Sequence, residues 1–142
     1  MSKLSCIADL LAIGADGAIA IGAPGRTPAQ SPMTFAALRA LAGEVVDSLN
    51  RNGIGRGDRV AIVLPNGPEM AVAFMTVAAG AVTAPLNPAY REDEFNFYLD
   101  DLKARALIVQ QGDDTPARAV AQRRGIDVLE LVPDLDGPAG GF

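Results

Sequence analysis

Histidine and tryptophan are absent from these 142 residues, and cysteine occurs once. Without histidine there is no Ser-His-Asp or Cys-His nucleophile pair and no His-ligated metal site. The single Cys6 has no partner for an internal disulfide. It reads as a small apolar residue near the N-terminus, consistent with a reducing compartment, and the expected localisation is cytoplasmic. Positive charge is also scarce: 12 Lys and Arg stand against 17 Asp and Glu, a net −5. No basic patch with interleaved aromatics exists, so nucleic acid is not expected as a partner. The longest uncharged run, Met70 to Tyr90, is interrupted by Gly80, Pro85, Asn87 and Pro88. A buried helix followed by a buried strand explains it better than a membrane span of ~20 apolar residues. The N-terminal stretch MSKLSCIADLLAIGADG has one Lys and an Asp inside its apolar run, unlike a secretory signal.

What is present is a core. Hydrophobic residues make up 49% of the chain, enough for one globular domain. A short amphipathic helix is expected within residues 1–17, around Leu4, Ile7, Leu10 and Leu11, then a strand in AIAIGAP (18–24) and a turn-rich loop, GRTPAQSP (25–32). Phe35, Leu38, Leu41, Ala42, Val45 and Leu49 recur at helical spacing behind Thr34, a good N-cap. A strand is predicted at 59–64. The helix after it carries Asn66 and Glu69 at capping-box spacing, with Pro68 early, and ends at Gly80. Strands follow at 81–86, 105–110 and 126–131, alternating with helices at 91–103 and 115–125. The first turn of the 91–103 helix is acidic, as its dipole favours. A β-α-β-α-β-α-β order with short links and continuous apolar strands predicts an α/β fold, a mostly parallel sheet flanked by helices. Residues 1–32 read as a helix and strand lead-in and 33–142 as the α/β unit.

The stretch NGIGRGDRVAIVLPNGPEM contains Gly53, Gly55 and Gly57 in G-x-G-x-G spacing. A dinucleotide or phosphate loop needs its glycines after a strand and before a helix. Here they follow a helix and precede a strand, so the nearby helix end repels anions. Gly53 is placed to adopt the left-handed conformation that ends a helix, with Ile54 packing back on the last turn.

Around these glycines, TFAAL, GIGRGDRVAIVLPNGPE, AAGAVTAPLNP and REDEFNFYL occur in order and at a spacing that resembles the N-terminal part of the adenylate-forming enzymes. These include acyl-CoA synthetases, 4-coumarate-CoA ligases, luciferases and peptide-synthetase adenylation domains. The resemblance covers roughly residues 33–110. Ala37 stands where that family usually has the Glu of a capping box. APLNPAYREDEFNFYL looks most like the oxalyl-CoA synthetase branch of plants and fungi and its bacterial relatives. The resemblance implies that 33–142 is the first α/β subdomain of that fold. It also implies a parent enzyme that joins a small carboxylic acid to ATP, with Mg²⁺, as acyl-AMP, and then transfers the acyl group to CoA.

The family's phosphate loop, adenine and Mg²⁺ segment, ribose-binding Asp motif and C-terminal catalytic Lys have no counterpart in this chain. No catalytic or metal-binding residue is therefore assigned. The expectation is a piece of a larger, several-hundred-residue enzyme, ending at DLDGPAGGF as a loop without a terminal cap, inactive by itself and not binding ATP, Mg²⁺ or CoA tightly. Its expected partners are the remainder of its own chain and a second copy, because the nearly all-apolar helix 69–79 calls for cover on several sides. The alternative is a non-catalytic binding or assembly module derived from a synthetase. Ligands of parallel sheets bind beyond the carboxyl ends of strands, where Asn66 and Asn87 lie in polar turns and Arg91 follows. In the family this face lies near the route of CoA, which makes Asn87 and Arg91 candidates for a CoA contact. The competing reading is that both asparagines turn the backbone and Arg91 is a solvated charge. Glu92-Asp93-Glu94 and Asp100-Asp101 read as a solvated helix surface.

Overall fold

A computed structural model describes residues 4–142. The first three residues of the predicted N-terminal helix lie outside that range. In chain order the elements are α1 (Ile7–Leu11), β1 (Ile19–Ile21), β2 (Met33–Thr34), α2 (Phe35–Arg51), β3 (Arg59–Val63), α3 (Pro68–Ala78), β4 (Val82–Pro85), α4 (Glu92–Asp101), β5 (Ala106–Gln110), α5 (Pro116–Arg123) and β6 (Asp127–Leu131). The helix α1 is shorter than its apolar spacing suggests. Asp9 accepts from the Ser5 and Cys6 N–H groups and starts the helix at Ile7. Only Leu11 of its apolar set is buried, and Cys6 is exposed rather than packed. β1 and β2 form a small antiparallel pair.

The main sheet is parallel, in the order β4-β3-β5-β6. Alternation along its strands builds two cores. Val60, Ile62, Ala106, Ile108 and Leu131 face α2 and α3. Ala61, Val63, Leu107 and Val109 face α4 and α5, with Phe95, Leu99 and Val120. The third cluster joins Leu11 of α1 to Met33, Leu38, Ala42 and Val72.

Local chemistry sets the element ends. Thr34 accepts from the Ala37 N–H and caps α2. At its other end Gly53 has φ +69, with bonds from Gly53 N to Asn50 O and from Ile54 N to Leu49 O. Ile54 is buried, so the glycine terminates the helix as its position predicts. The same paired bonds end α4 at Lys103-Ala104 and α5 at Gly125-Ile126.

One expectation changes. The capping box at Asn66 does not form: Gly67 caps α3 with no side-chain bond. Glu69 instead turns inward, 7% exposed, and meets Arg26 at 2.5 Å, because the loop 22–31 folds over this end of the helix. The terminal stretch is the loop expected, and it is tied to the rest of the chain. Asp134 N donates to Gly141 O, Ala139 N to Ser31 O, and Ala139 is fully buried. Gly140 (φ +82) lies so close to α3 that an added Cβ would stand 2.7 Å from the Pro68 carbonyl. With α1, α2 and this segment around it, α3 buries Val72, Ala73, Thr76 and Val77, and only Phe74 among its large residues remains exposed. Among the described residues, no helix is long and apolar enough to cross a membrane.

Candidate functional site

In a parallel sheet with right-handed crossovers the helix N-termini gather at the carboxyl ends of the strands. α3, α4 and α5 begin there, after β3, β4 and β5. Gly53 and Gly57, at φ +69 and +91, lie at the opposite rim beside the C-terminus of α2, where they turn the chain into β3. Gly55 N–H is already taken by the Asp58 carboxylate at 2.8 Å. The G-x-G-x-G run is therefore a helix stop and turn, not an anion cradle.

From β3 the chain moves to β4 on one side, then crosses back to β5 and β6 on the other. The helices that follow β3 and β5 lie on opposite faces of the sheet. This reversal makes a topological switch point between the carboxyl ends of β3 and β5, the place where open parallel sheets tend to bind ligands. Asn66 stands on its β3 side and the turn Gln110–Asp113 on its β5 side. Arg118 holds that turn through the Gln110 and Asp113 carbonyls, both at 2.8 Å, and pairs with Glu130 at 2.6 Å. The sequence reading missed this β5 turn, because no residue in it carries distinctive chemistry and strand order decides its importance.

Asn87 and Arg91 follow β4, one strand away from the reversal. Asn87 Oδ1 accepts from the Ala89 N–H at 2.9 Å, so its side chain shapes the turn. Arg91 donates its backbone N–H to Glu94 at 2.8 Å, while its exposed guanidinium makes no hydrogen bond or ion pair with the described residues. Tyr90 fixes the loop between them, stacked on Tyr98 with ring centroids 5.0 Å apart. The Tyr98 hydroxyl beside it, together with desolvation, holds the Tyr90 phenol above its usual range. Arg91 lines an open cleft with Glu92, Asp93, Asn96 and Arg123, where Arg123 already pairs with Glu92 at 2.5 Å. One free cation suits a single phosphate contact. The residues present do not fit a nucleoside triphosphate with its divalent ion. Acids fill the first turn of α4, and among the described residues no three His, Cys, Asp or Glu side chains stand together to hold a metal.

A family model described as AMP-binding enzyme matches residues 17–139. A probable CoA ligase, CCL9, of Humulus lupulus is 38% identical over 107 residues, covering 74% of this chain and 20% of its own. Oxalate–CoA ligase of Saccharomyces cerevisiae is 53% identical over 58 residues, 40% of this chain and 11% of the yeast protein. Among solved structures, ATP-bound MatB from Rhodopseudomonas palustris matches with a TM-score of 0.74 at 27% identity, over 94% of this chain and 26% of that one. The chain thus spans about a quarter or less of the proteins it matches. The order and spacing of its motifs, its parallel sheet and the match over residues 17–139 agree: the chain belongs to the AMP-binding enzyme family, with the fold of the N-terminal domain of adenylate-forming enzymes.

Proposed function

We propose that these residues are the N-terminal part of an ATP-dependent carboxylate–CoA ligase, with residues 1–32 as a lead-in and 33–142 as its first α/β subdomain. In the first step a substrate carboxylate oxygen attacks the α-phosphorus of ATP. A P–O bond forms, pyrophosphate leaves, and acyl-AMP remains. In the second, the CoA sulfur attacks the acyl carbonyl, the thiol proton is lost, and AMP departs as the thioester forms. The observation that carries this reading is the family match over residues 17–139, supported by relatives whose names are CoA ligases. ATP and Mg²⁺ would be held by residues outside these 142. Here the chain's own contribution is the carboxyl end of the sheet, with Asn87 shaping the turn and Arg91 offering one cation to a phosphate of CoA. The substrate class is a small carboxylic acid, and the compartment is cytoplasmic.

The test is carboxylate-dependent ATP–pyrophosphate exchange by the longer protein that carries these residues, across short acids with oxalate included. Exchange followed by CoA-dependent AMP release is expected, and silence with every acid overturns the ligase reading. The 142-residue chain alone is expected to give no exchange above buffer, and a robust rate would refute its inactivity. A second reading, a non-catalytic assembly module, is favoured by the poor fit of this face to a nucleotide and its metal. A downstream reading frame containing a phosphate loop would remove it.

A further inference from the structure

Asparagine is followed by glycine twice, at Asn52-Gly53 and Asn66-Gly67. All four residues are exposed, but the two pairs are held differently. Asn52 Nδ2 donates to Ser48 O at 2.9 Å, and Gly53 N–H donates to Asn50 O at 3.0 Å. The end of α2 fixes Gly53 at φ +69. Asn66 lies in the short link between β3 and α3, and its side chain makes no hydrogen bond among the described residues. The Gly67 N–H has no acceptor among them either, and its backbone is extended, with φ 164 and ψ −175. Only the Gly67 carbonyl is used, by the Ala71 N–H at 3.2 Å. Without a Cβ, Gly67 lets the preceding side chain approach its nitrogen closely.

We propose that Asn66 is a site of spontaneous covalent modification, converting to aspartate and isoaspartate through a cyclic imide. The Gly67 nitrogen loses its proton to water or hydroxide and attacks Asn66 Cγ. A C–N bond forms, the bond from Cγ to Nδ2 breaks, and Nδ2 takes up a proton and leaves as ammonia. Water then adds to one carbonyl of the imide and opens the ring. Opening at the main-chain carbonyl routes the backbone through Cγ and lengthens it by one methylene; opening at the side-chain carbonyl leaves an ordinary aspartate. Either product puts a carboxylate on the β3 side of the switch point, beside the N-terminus of α3, where the helix dipole favours it. The inference rests on the hydrogen bonding of the two pairs and is independent of the proposed ligase activity.

The test is incubation of the purified chain, and of the longer protein that carries it, at neutral to mildly alkaline pH, followed by brief tryptic digestion. Cleavage after Arg51, Arg56, Arg59 and Arg91 puts Asn52 in the peptide 52–56 and Asn66 in 60–91. The second peptide contains no Asp, and its other asparagine, Asn87, precedes Pro88, which has no N–H to attack with. Mass spectrometry is expected to find the acid form accumulating in 60–91 about tenfold or more faster than in 52–56, because the bonds at Asn52 must open first. An isoaspartyl methyltransferase should label the same peptide, and the rate should rise with pH as the Gly67 proton leaves more readily. In urea, where neither pair is held, the two rates should converge. Gly67→Ala should slow the reaction at Asn66 about tenfold; its added Cβ would stand 3.4 Å from Glu69 Oε2 on an extended backbone, so the fold is kept. Equal rates at the two pairs in the folded chain, a preference that persists in urea, or an unmodified Asn66 in the longer protein overturns the proposal. Should the alanine variant fail to fold, the comparison of the two pairs in the unaltered chain decides.

Discussion

Lys103 is the one residue other than glycine with positive φ among the described residues, at +50. It ends α4 where Gly53 and Gly125 end α2 and α5. A left-handed L-residue costs about 1 kcal/mol, so Lys103→Gly is expected to raise stability by about half a kcal/mol in urea melts, the lost Lys103–Asp100 pair offsetting part of the gain. The reverse change, Gly53→Val, should lower it by roughly 1 kcal/mol or more without altering nucleotide affinity. Lys103 and Arg124 hold the Asp100 carboxyl below its usual 3.8. A depressed folded pKa stabilises above the unfolded value and loses that contribution as pH falls through the folded one, so acid titration by NMR should find Asp100 ionised at pH 3.8 in larger part than a free Asp. In the longer ligase proposed above, Arg91→Ala is expected to raise KM for CoA several-fold and leave ATP–pyrophosphate exchange unchanged; equal loss in both would remove the proposed phosphate contact. The glycine helix end was legible because a positive φ before an apolar residue is a local signal. The same end at Lys103 was not, since nothing in a lysine announces it.

At the scale of elements, α2 and α3 pack so closely that an added Cβ at Gly80 would stand 2.9 Å from Val46 Cγ2. Gly80→Val should force the helices apart and cost about 1–3 kcal/mol, read as a lower denaturation midpoint with α2 and α3 amides losing protection first. The sequence placed these helices and all four strands of the sheet, because each has its own period and its own punctuation. It carried no sign of strand order. Alternation says which side chains share a face, whereas the return across β3 follows from how the crossovers pack, and that return puts the switch point between Asn66 and the β5 turn, one strand from Asn87 and Arg91. Glu69 was ambiguous for a related reason. Its distance from Asn66 suits a cap, but the partner that turns it inward, Arg26, is 43 residues away.

Taken whole, the molecule is held together at one corner by long-range polar contacts. Arg26 bridges Glu69 and Gln30, and the Gln30 amide donates to the carbonyls of Asp134, Leu135 and Gly137 at 3.1, 3.4 and 3.3 Å. Removing Arg26 leaves a buried carboxylate without its partner, so Arg26→Ala should cost about 2 kcal/mol, less than for a fully enclosed pair because Arg26 is part-exposed. Hydrogen exchange should then quicken in 132–142 while β3 and β5 remain protected. Gln30→Ala should loosen the same segment with a smaller loss. These contacts also impose a timetable on synthesis. Gln30 is made early, yet its carbonyl partners lie 104 to 107 positions later in the chain. The ribosome releases residues from the N-terminus onward, so 22–31 must wait, unanchored at Gln30, until nearly the entire segment has left the exit tunnel. The helices and strands from β3 to α5 need no such delay. The nascent chain therefore completes its centre before its beginning.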